Sequence, residues 1–432
     1  MTSLPLEGVR VVDLSIVWAG PHCTRLLADM GAEVIKVESR RWFDPIRGPL
    51  RPRHSADGCY PDSEPGERPY NRHGYFNERN RNKLGLTLDL RHPLGRDAFF
   101  RLVAVSDVVV ENFSTGTMER LGLGYEALRA VQPRLIMLSM PSFGCTGPES
   151  HYVGYGATND QLSGLVSVTG YEDGEPQNIG INASDPLTGQ HAAAAILAAL
   201  VSRARGGHAA PAAGQGQFID LSHRESAARL MGGPLLDYAM NGRVAGPRGS
   251  RHSYASPQGI YRCAGEDRWL AVVVESDEQW AALCAVIGRP ELALDPRFAD
   301  VVGRWHNRLQ ADGVLAEWTA GRSPEDAMAA LQRAGIAAGV CHTGETLLAD
   351  PHLRARGFFE MMTHPEAGTH DYMGMAWRLS ATPGRIRWAA PCLGEHSDRV
   401  LREIVGLGEE EIARLTAEGI TGVGADLSSP ER

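Results

Sequence analysis

The first 38 residues limit the possible folds more than any other part of the chain. Val9-Arg10-Val11-Val12-Asp13-Leu14 is a short apolar strand, and Gly20-Pro21 turns the chain. His22 to Met30 spaces its apolar residues at helical intervals, and Gly31 stands where a left-handed residue ends a helix. Val34-Ile35-Lys36-Val37 is the next strand. Strand, tight turn, helix and parallel strand make a βαβ unit, the seed of a doubly wound sheet. The alternation continues. Leu86 to Leu90 is expected as a strand, Pro93 to Val105 as a helix, Asp107 to Glu111 and Leu135 to Met140 as strands. Met118 to Leu123 and Tyr125 to Val131 are short helical pieces between the last two strands. Gly48 to Tyr75 lacks periodicity and reads as a long surface loop.

The pattern changes in the second half. His191 to Ser202 is an Ala- and Leu-rich run without a polar face, expected as a buried helix. Arg205 to Gly216, rich in Ala, Gly and Pro, reads as a flexible loop, with an insertion-like stretch from Ala209 to Gly214. Phe218 to Leu221 is a strand, Ser222 to Met231 a helix, and Asn241 to Pro257 a linker. Gly259 to Arg262 and Trp269 to Val274 then read as paired strands across a turn at Gly265-Glu266-Asp267, followed by several helices. The expectation is an α/β chain: a large Rossmann-like domain with a mostly parallel sheet over residues 1–235, a linker over 236–258, a smaller α+β domain over 259–385, and a C-terminal segment over 386–432 that returns to the large domain.

Composition removes several function classes. A net charge of −9 argues against nucleic acid as a partner. No apolar run is long enough to span a bilayer, and the first ten residues do not resemble a secretory signal. The seven cysteines are dispersed and unpaired in spacing, as in a reduced cytoplasmic protein. No metal-ligand spacing is present, so no metal is expected. A dinucleotide is not expected either: Glu38 ends the second strand, but the turn from Ser15 to Pro21 has one glycine instead of the G-x-G-x-x-G pyrophosphate cradle.

Five stretches, taken together and in order, resemble the family III coenzyme A transferases, a group that also contains the methylacyl-CoA racemases. They are Gly8 to Leu14 through Ala19-Gly20-Pro21 to Gly31-Ala32-Glu33-Val34-Ile35-Lys36-Val37-Glu38; Asn80-Arg81-Asn82-Lys83 with Leu88-Asp89-Leu90; Glu111-Asn112-Phe113 with Gly122-Leu123; Ser142-Phe143-Gly144 with Gly147-Pro148; and Leu393-Gly394-Glu395-His396. The resemblance implies acyl-CoA and a small carboxylic acid as substrates and an interlocked homodimer. It also implies transfer through an enzyme carboxylate, which forms a mixed anhydride and then a CoA thioester.

The resemblance places the nucleophilic aspartate seven residues before a Ser-Gly pair. Counting back from Ser163-Gly164 reaches Gly156, preceded by Tyr155. The racemases keep a His-Asp pair at the same two positions. The reading is therefore a CoA-transferase without the usual nucleophile, or an isomerase, racemase, lyase or non-catalytic CoA-binding homologue on the same fold. Two carboxylates are candidates for the missing role. Asp160 lies one helical turn beyond Gly156, with a helix-terminus role as its alternative. Asp185, in Ser184-Asp185-Pro186-Leu187-Thr188-Gly189, has helix capping as its alternative. For CoA, the resemblance nominates Lys83 and Arg120 toward the phosphates, Val17, Trp18 and Ala19 on the turn after the first strand, and, less directly, Arg81 and Arg47. Gly144 and Gly147 could present amides to a thioester oxygen, or form a turn.

Overall fold

The computed structural model describes residues 3–52, 59–205 and 214–427. The chain divides into two compact units. The larger contains Met1–Leu165, Ile179–Asn241 and Ala355–Arg432; the smaller contains Val166–Asn178 and Gly242–Arg354.

The large unit is built on six strands: β1 (Arg10–Asp13), β2 (Glu33–Glu38), β3 (Lys83–Thr87), β4 (Val108–Glu111), β5 (Ile136–Ser139) and β6 (Gln217–Asp220). All pair in parallel, in the order β3-β2-β1-β4-β5-β6. In register, Val12 stands beside Ile35 on one side and Val109 on the other. Parallel sheets need cover on both faces, and the strands are accordingly apolar on both. Val12, Ile35 and Val109 pack with Phe99 and Leu102 of a helix over Pro93–Ala104. Val11, Val34 and Val108 pack on the other face with Leu27 of α1 (Ala19–Asp29) and Ile196 of a long helix over Ser184–Arg205. Val400, Leu401, Ile412 and Leu415 join the first of these cores, so the C-terminal segment lies on the large unit.

Connections from β1 and β4 leave in opposite directions, which opens a crevice at the carboxyl ends of these neighbouring strands. Ligands of open α/β sheets bind at such a switch point. Two elements prepare it. A short helix, α2 (Gly74–Arg79), precedes β3, and another, α3 (Gly156–Leu162), follows β5. The long helix α4 (Ser184–Arg205) comes next, and after β6 the chain enters α5 (His223–Ala228) and α6 (Gly232–Asn241).

The smaller unit carries a three-stranded antiparallel sheet of Gln258–Arg262, Trp269–Val273 and Ala337–Val340. Trp280, Leu283, Phe298, Leu315 and Leu331 pack into its core. A hairpin of Phe359–His364 and Gly368–Met373 lies within the span 259–385 expected as the small domain and clusters with the large unit. Among the described residues no helix is long and apolar enough to cross a membrane.

Three expectations change. The third strand begins at Lys83, earlier than the Leu86 expected, because a charged residue at its start is neutralised inside the protein. The Ala-rich helix is buried on one face only: Ala192, Ile196 and Ala199 are covered, while Leu197 and Val201 are exposed. Its composition carried no facial information. The expected surface loop contains buried Tyr60 and Tyr70, a short helix over Pro69–Arg72 and the start of α2. Positions 209–213 of the insertion-like stretch lie outside the described residues.

Gly20 sets how tightly the turn after β1 can close. A Cβ there would stand 2.1 Å from Ser15 Cβ. Gly20→Ala should therefore cost at least about 1–3 kcal/mol, read as a lower urea midpoint with an unchanged slope.

Candidate active site

Asp13, at the end of β1, is fully buried and accepts four hydrogen bonds. They come from Ser15 N (2.9 Å), Ser15 Oγ (2.5 Å), Thr24 Oγ1 (2.7 Å) and Lys83 Nζ (2.9 Å). Burial alone would raise its pKa, but Lys83, Lys36 and the Ser15 hydroxyl together hold it down at about 2. Lys36 Nζ donates to Ser15 O and lies 3.2 Å from Asp44 Oδ2. Asp44 Oδ1 in turn accepts from Val17 N at 2.9 Å. Asn112, after β4, brackets Ile16 by accepting from its N–H at 2.7 Å and donating to its carbonyl at 2.8 Å. Clamped from three sides, the turn holds Val17 at φ 67°, a left-handed conformation that a β-branched residue rarely adopts.

The turn forms one wall of a cavity of about 270 Å³. Ile16 to Ala19 face Asn112, Phe113, Ser114 and Thr117 after β4, and Met140 and Ser142 after β5. The remaining wall is Val153 to Gly156, Asn159, Asp185 and His223. The volume lies just under the range for pockets that enclose a drug-sized ligand, so it suits an acyl group and its thioester, not a whole CoA. Val17, Trp18 and Ala19 are thus where a ligand at the switch point would meet them.

Asp160 and Asp185 take roles opposite to the simplest reading of the sequence. Asp160 is fully buried, and its two oxygens accept from Ala183 N (3.2 Å) and Ser184 N (2.9 Å), the amides that open α4. It caps that helix from α3 and does not line the cavity. Asp185, in the first turn of α4, does line it. Among the described residues its carboxylate accepts no hydrogen bond. Its ionic neighbour is His223 Nδ1 at 3.6 Å, and that nitrogen has no other partner. Gly156 lies beside this pair. A Cβ at position 156 would stand 2.5 Å from Asn182 Cβ and 3.0 Å from Asp185 Oδ1.

The nominated cations separate in the same way. Lys83 is enclosed by Asp13, Thr24 Oγ1, Asn80 Oδ1 and the Pro21 carbonyl. Arg81 is held by Asp29 at 2.8 Å, and Arg47 grips Glu38 through Nε (2.9 Å) and Nη2 (2.7 Å). All three are buried and paired within the chain. Glu38 is equally occupied. Arg120 remains exposed, donating to Thr117 Oγ1 at 2.7 Å, beside the cavity wall. Gly144 and Gly147 have φ of 81° and 89° and shape a turn; neither lines the cavity, and the amide of intervening Cys145 donates to Asp220 Oδ1 at 2.7 Å.

Sequence reasoning missed His223 and Asn159. His223 follows β6 as Asn112 follows β4, and the ends of parallel strands were the signal available for both. Asn159 is buried with Oδ1 unpartnered. Glu111, one residue before Asn112, is pushed up to about 7 by burial, against hydrogen bonds from Ser139 and the Phe113 amide.

A doubly wound sheet with a carboxylate and an imidazole at its switch point defines a Rossmann-type α/β protein with a charged ligand crevice. Residues 6–397 match the model for CoA-transferase family III, and the chain belongs to that family. It is 35% identical to succinyl-CoA–D-citramalate CoA-transferase of Chloroflexus aurantiacus, over 96% of this chain and 98% of that one. It is 32% identical to succinate–glutarate CoA-transferase of Agrobacterium fabrum, over 93% and 96%. The crystal structure of a CAIB/BAIF family protein from Brucella suis superposes with a TM-score of 0.81 at 32% identity, covering 94% of this chain and all of that one.

The two aspartates make opposite predictions for stability. Asp160→Ala leaves buried helix amides without an acceptor and should cost about 1–3 kcal/mol. Asp185→Asn removes a carboxylate that accepts no hydrogen bond and should leave the urea midpoint unchanged or higher. Equal losses in the two variants would contradict this assignment.

Proposed function

We propose that this chain transfers CoA from an acyl-CoA thioester to a carboxylic acid, with Asp185 as the reacting carboxylate. One observation carries the reading: Asp185 Oδ1 lies 3.0 Å from the point where a side chain on residue 156 would begin. The carboxylate reaches that place from the neighbouring helix α4 instead of from α3. It is nearly buried and free of hydrogen bonds, so its lone pairs are not stabilised before attack.

The steps balance with no co-reactant. Asp185 attacks the acyl-CoA carbonyl, forming a mixed anhydride and releasing CoA thiolate. The thiolate attacks the Asp185 carbonyl, forming an enzyme thioester and releasing the donor acid. The acceptor carboxylate attacks that thioester, and a second anhydride forms. CoA thiolate then takes the acceptor acyl group, and Asp185 returns as a carboxylate. His223 faces the same carboxyl and sets its orientation. Arg120, exposed beside the cavity, is the cation of the nominated set left open to a CoA phosphate.

After incubation with succinyl-CoA, intact wild-type protein should gain the mass of CoA less one water. Asp160→Ala, if folded, should gain it too, and Asp185→Asn should not. Steady-state transfer should fall at least about a thousandfold in Asp185→Asn. A surviving adduct in that variant would remove Asp185 from the role.

The 3.6 Å pairing of His223 with Asp185 favours one second reading, proton abstraction and return at the α-carbon of an acyl-CoA. It predicts deuterium uptake from D2O into the acyl chain with no exchange of CoA between acids.

We also infer a homodimer. None of α6 is buried within its own chain, and Leu235, Leu236, Tyr238 and Met240 stand exposed on it, an apolar surface of the kind a second copy covers. Sedimentation should give twice the chain mass, and Leu236→Glu with Met240→Glu should lower it.

A further inference from the structure

The wall that holds Asp185 also holds a buried acceptor without a donor. Two buried side chains near the crevice keep an atom unpartnered. Arg79, at the end of α2, makes no hydrogen bond and no ion pair among the described residues. Its guanidinium rests 4.1 Å over the Trp18 ring, and it is not among the residues that line the cavity. Asn159, on α3, does line it. Asn159 is 1% exposed, and its Oδ1 is buried with no hydrogen bond. A buried carbonyl oxygen left unpaired costs about 1–3 kcal/mol.

Ser142 decides which end of the carboxamide is left over. Its hydroxyl donates to Gly154 O at 2.8 Å, so toward Asn159 its oxygen can only accept. Nδ2 is the atom that turns to it, at 3.5 Å, and Oδ1 keeps its lone pairs. The chain leaves the space beside Oδ1 clear. A Cβ on Gly154, another residue of the wall, would stand 3.3 Å from it. In the turn after β1, the amides of Ile16 and Val17 are already committed to Asn112 and Asp44. The missing donor is left for a ligand to bring. Helix geometry fixes where it would lie. Gly156 and Asn159 are three residues apart on α3, so their Cβ positions share a face about 5–6 Å apart. The Cβ position of residue 156 is 3.0 Å from Asp185 Oδ1, which puts Asn159 one helical turn from the point of attack.

We propose that Asn159 Oδ1 accepts the hydrogen of the pantetheine amide nearest the thioester, and so positions the CoA arm along α3 while Asp185 meets the acyl carbonyl. This rests on the transfer reaction assigned to the same cavity and adds a residue that recognises the carrier instead of the acid. That amide N–H is two methylenes from the sulfur, a reach of the same order as one helical turn. Every acyl-CoA carries it, and it stays in place when the acyl group moves to Asp185. The acceptor is then satisfied through both halves of the exchange, whereas a hydroxyl on the acyl chain would satisfy it for some acids only.

The test needs no turnover. Titration calorimetry compares two unreactive thioethers, S-butyl-CoA and its analogue with oxygen in place of that amide N–H, on wild type and Asn159→Leu. Leucine is close to asparagine in size and has no polar end, and thermal unfolding confirms that the variant folds. Wild type should bind the amide about 5- to 100-fold more tightly than the ester, and Asn159→Leu should bind the two alike. Wild type binding both alike would overturn the proposal without any variant. An amide-to-ester ratio in Asn159→Leu equal to that of wild type would overturn it too. In that case, weaker binding of S-(3-hydroxybutyl)-CoA relative to S-butyl-CoA in the variant would show the acyl hydroxyl to be the donor. With succinyl-CoA as substrate, Asn159→Leu should raise KM and leave kcat nearly unchanged, as loss of uniform binding does. If the wild type catalyses no transfer, the assigned reaction fails, and the amide-to-ester ratio still decides the role of Asn159.

Discussion

The buried carboxylate of Asp13 is the centre on which the site depends. It draws in Ser15, Thr24 and Lys83, and so joins the end of β1 to the first turns of α1 and to the start of β3. Lys36 extends the network to Asp44, and Asp44 fixes the amide of Val17. A loop closed this way cannot relax without leaving charges unpaired in the interior, which would cost several kcal/mol. That rigidity sustains the left-handed Val17 and places Trp18 on the cavity wall. It also makes Lys83 an internal strut; Arg81, two residues earlier, is held separately by Asp29.

The same economy of partners distinguishes the two aspartates. Both are buried and both lie near the start of α4. Asp160 has two backbone amides on its oxygens, while Asp185 has none. The Asp160 lone pairs are committed to those amides, while the Asp185 carboxylate stands on the cavity wall with its lone pairs uncommitted. Asn182 and Asp185 crowd the space next to Gly156, so a side chain there would collide with the carboxylate that α4 provides. A glycine at 156 and an aspartate at 185 are therefore one structural solution.

Much of this fold could be read along the chain. The alternation of apolar runs with helical spacing gave the parallel sheet, and the paired strands after Pro257 gave the second unit. The errors arose where charge entered the interior. Lys83 looked like a strand's flank because its neutralising partner lies seventy residues away. No strands are legible around Phe359 in the sequence, and the clustering of that hairpin with the large unit rests on long-range contacts that residue spacing does not record. In the cavity, the turn residues Val17 to Ala19 were legible from their place after β1. The approach of Asp185 to position 156 was not, since nothing in the spacing of residues 29 apart records that α4 starts against α3.

Arg79 shows why an unpaired group is harder to find than a paired one. In the sequence it is one of four basic or acidic residues in Glu78-Arg79-Asn80-Arg81-Asn82-Lys83, with nothing to set it apart. Glu78 is taken by Arg25, Arg81 by Asp29 and Lys83 by Asp13, so the local acids are used before Arg79 is reached. Its isolation is a property of the whole network and becomes visible only when every other buried charge has been matched.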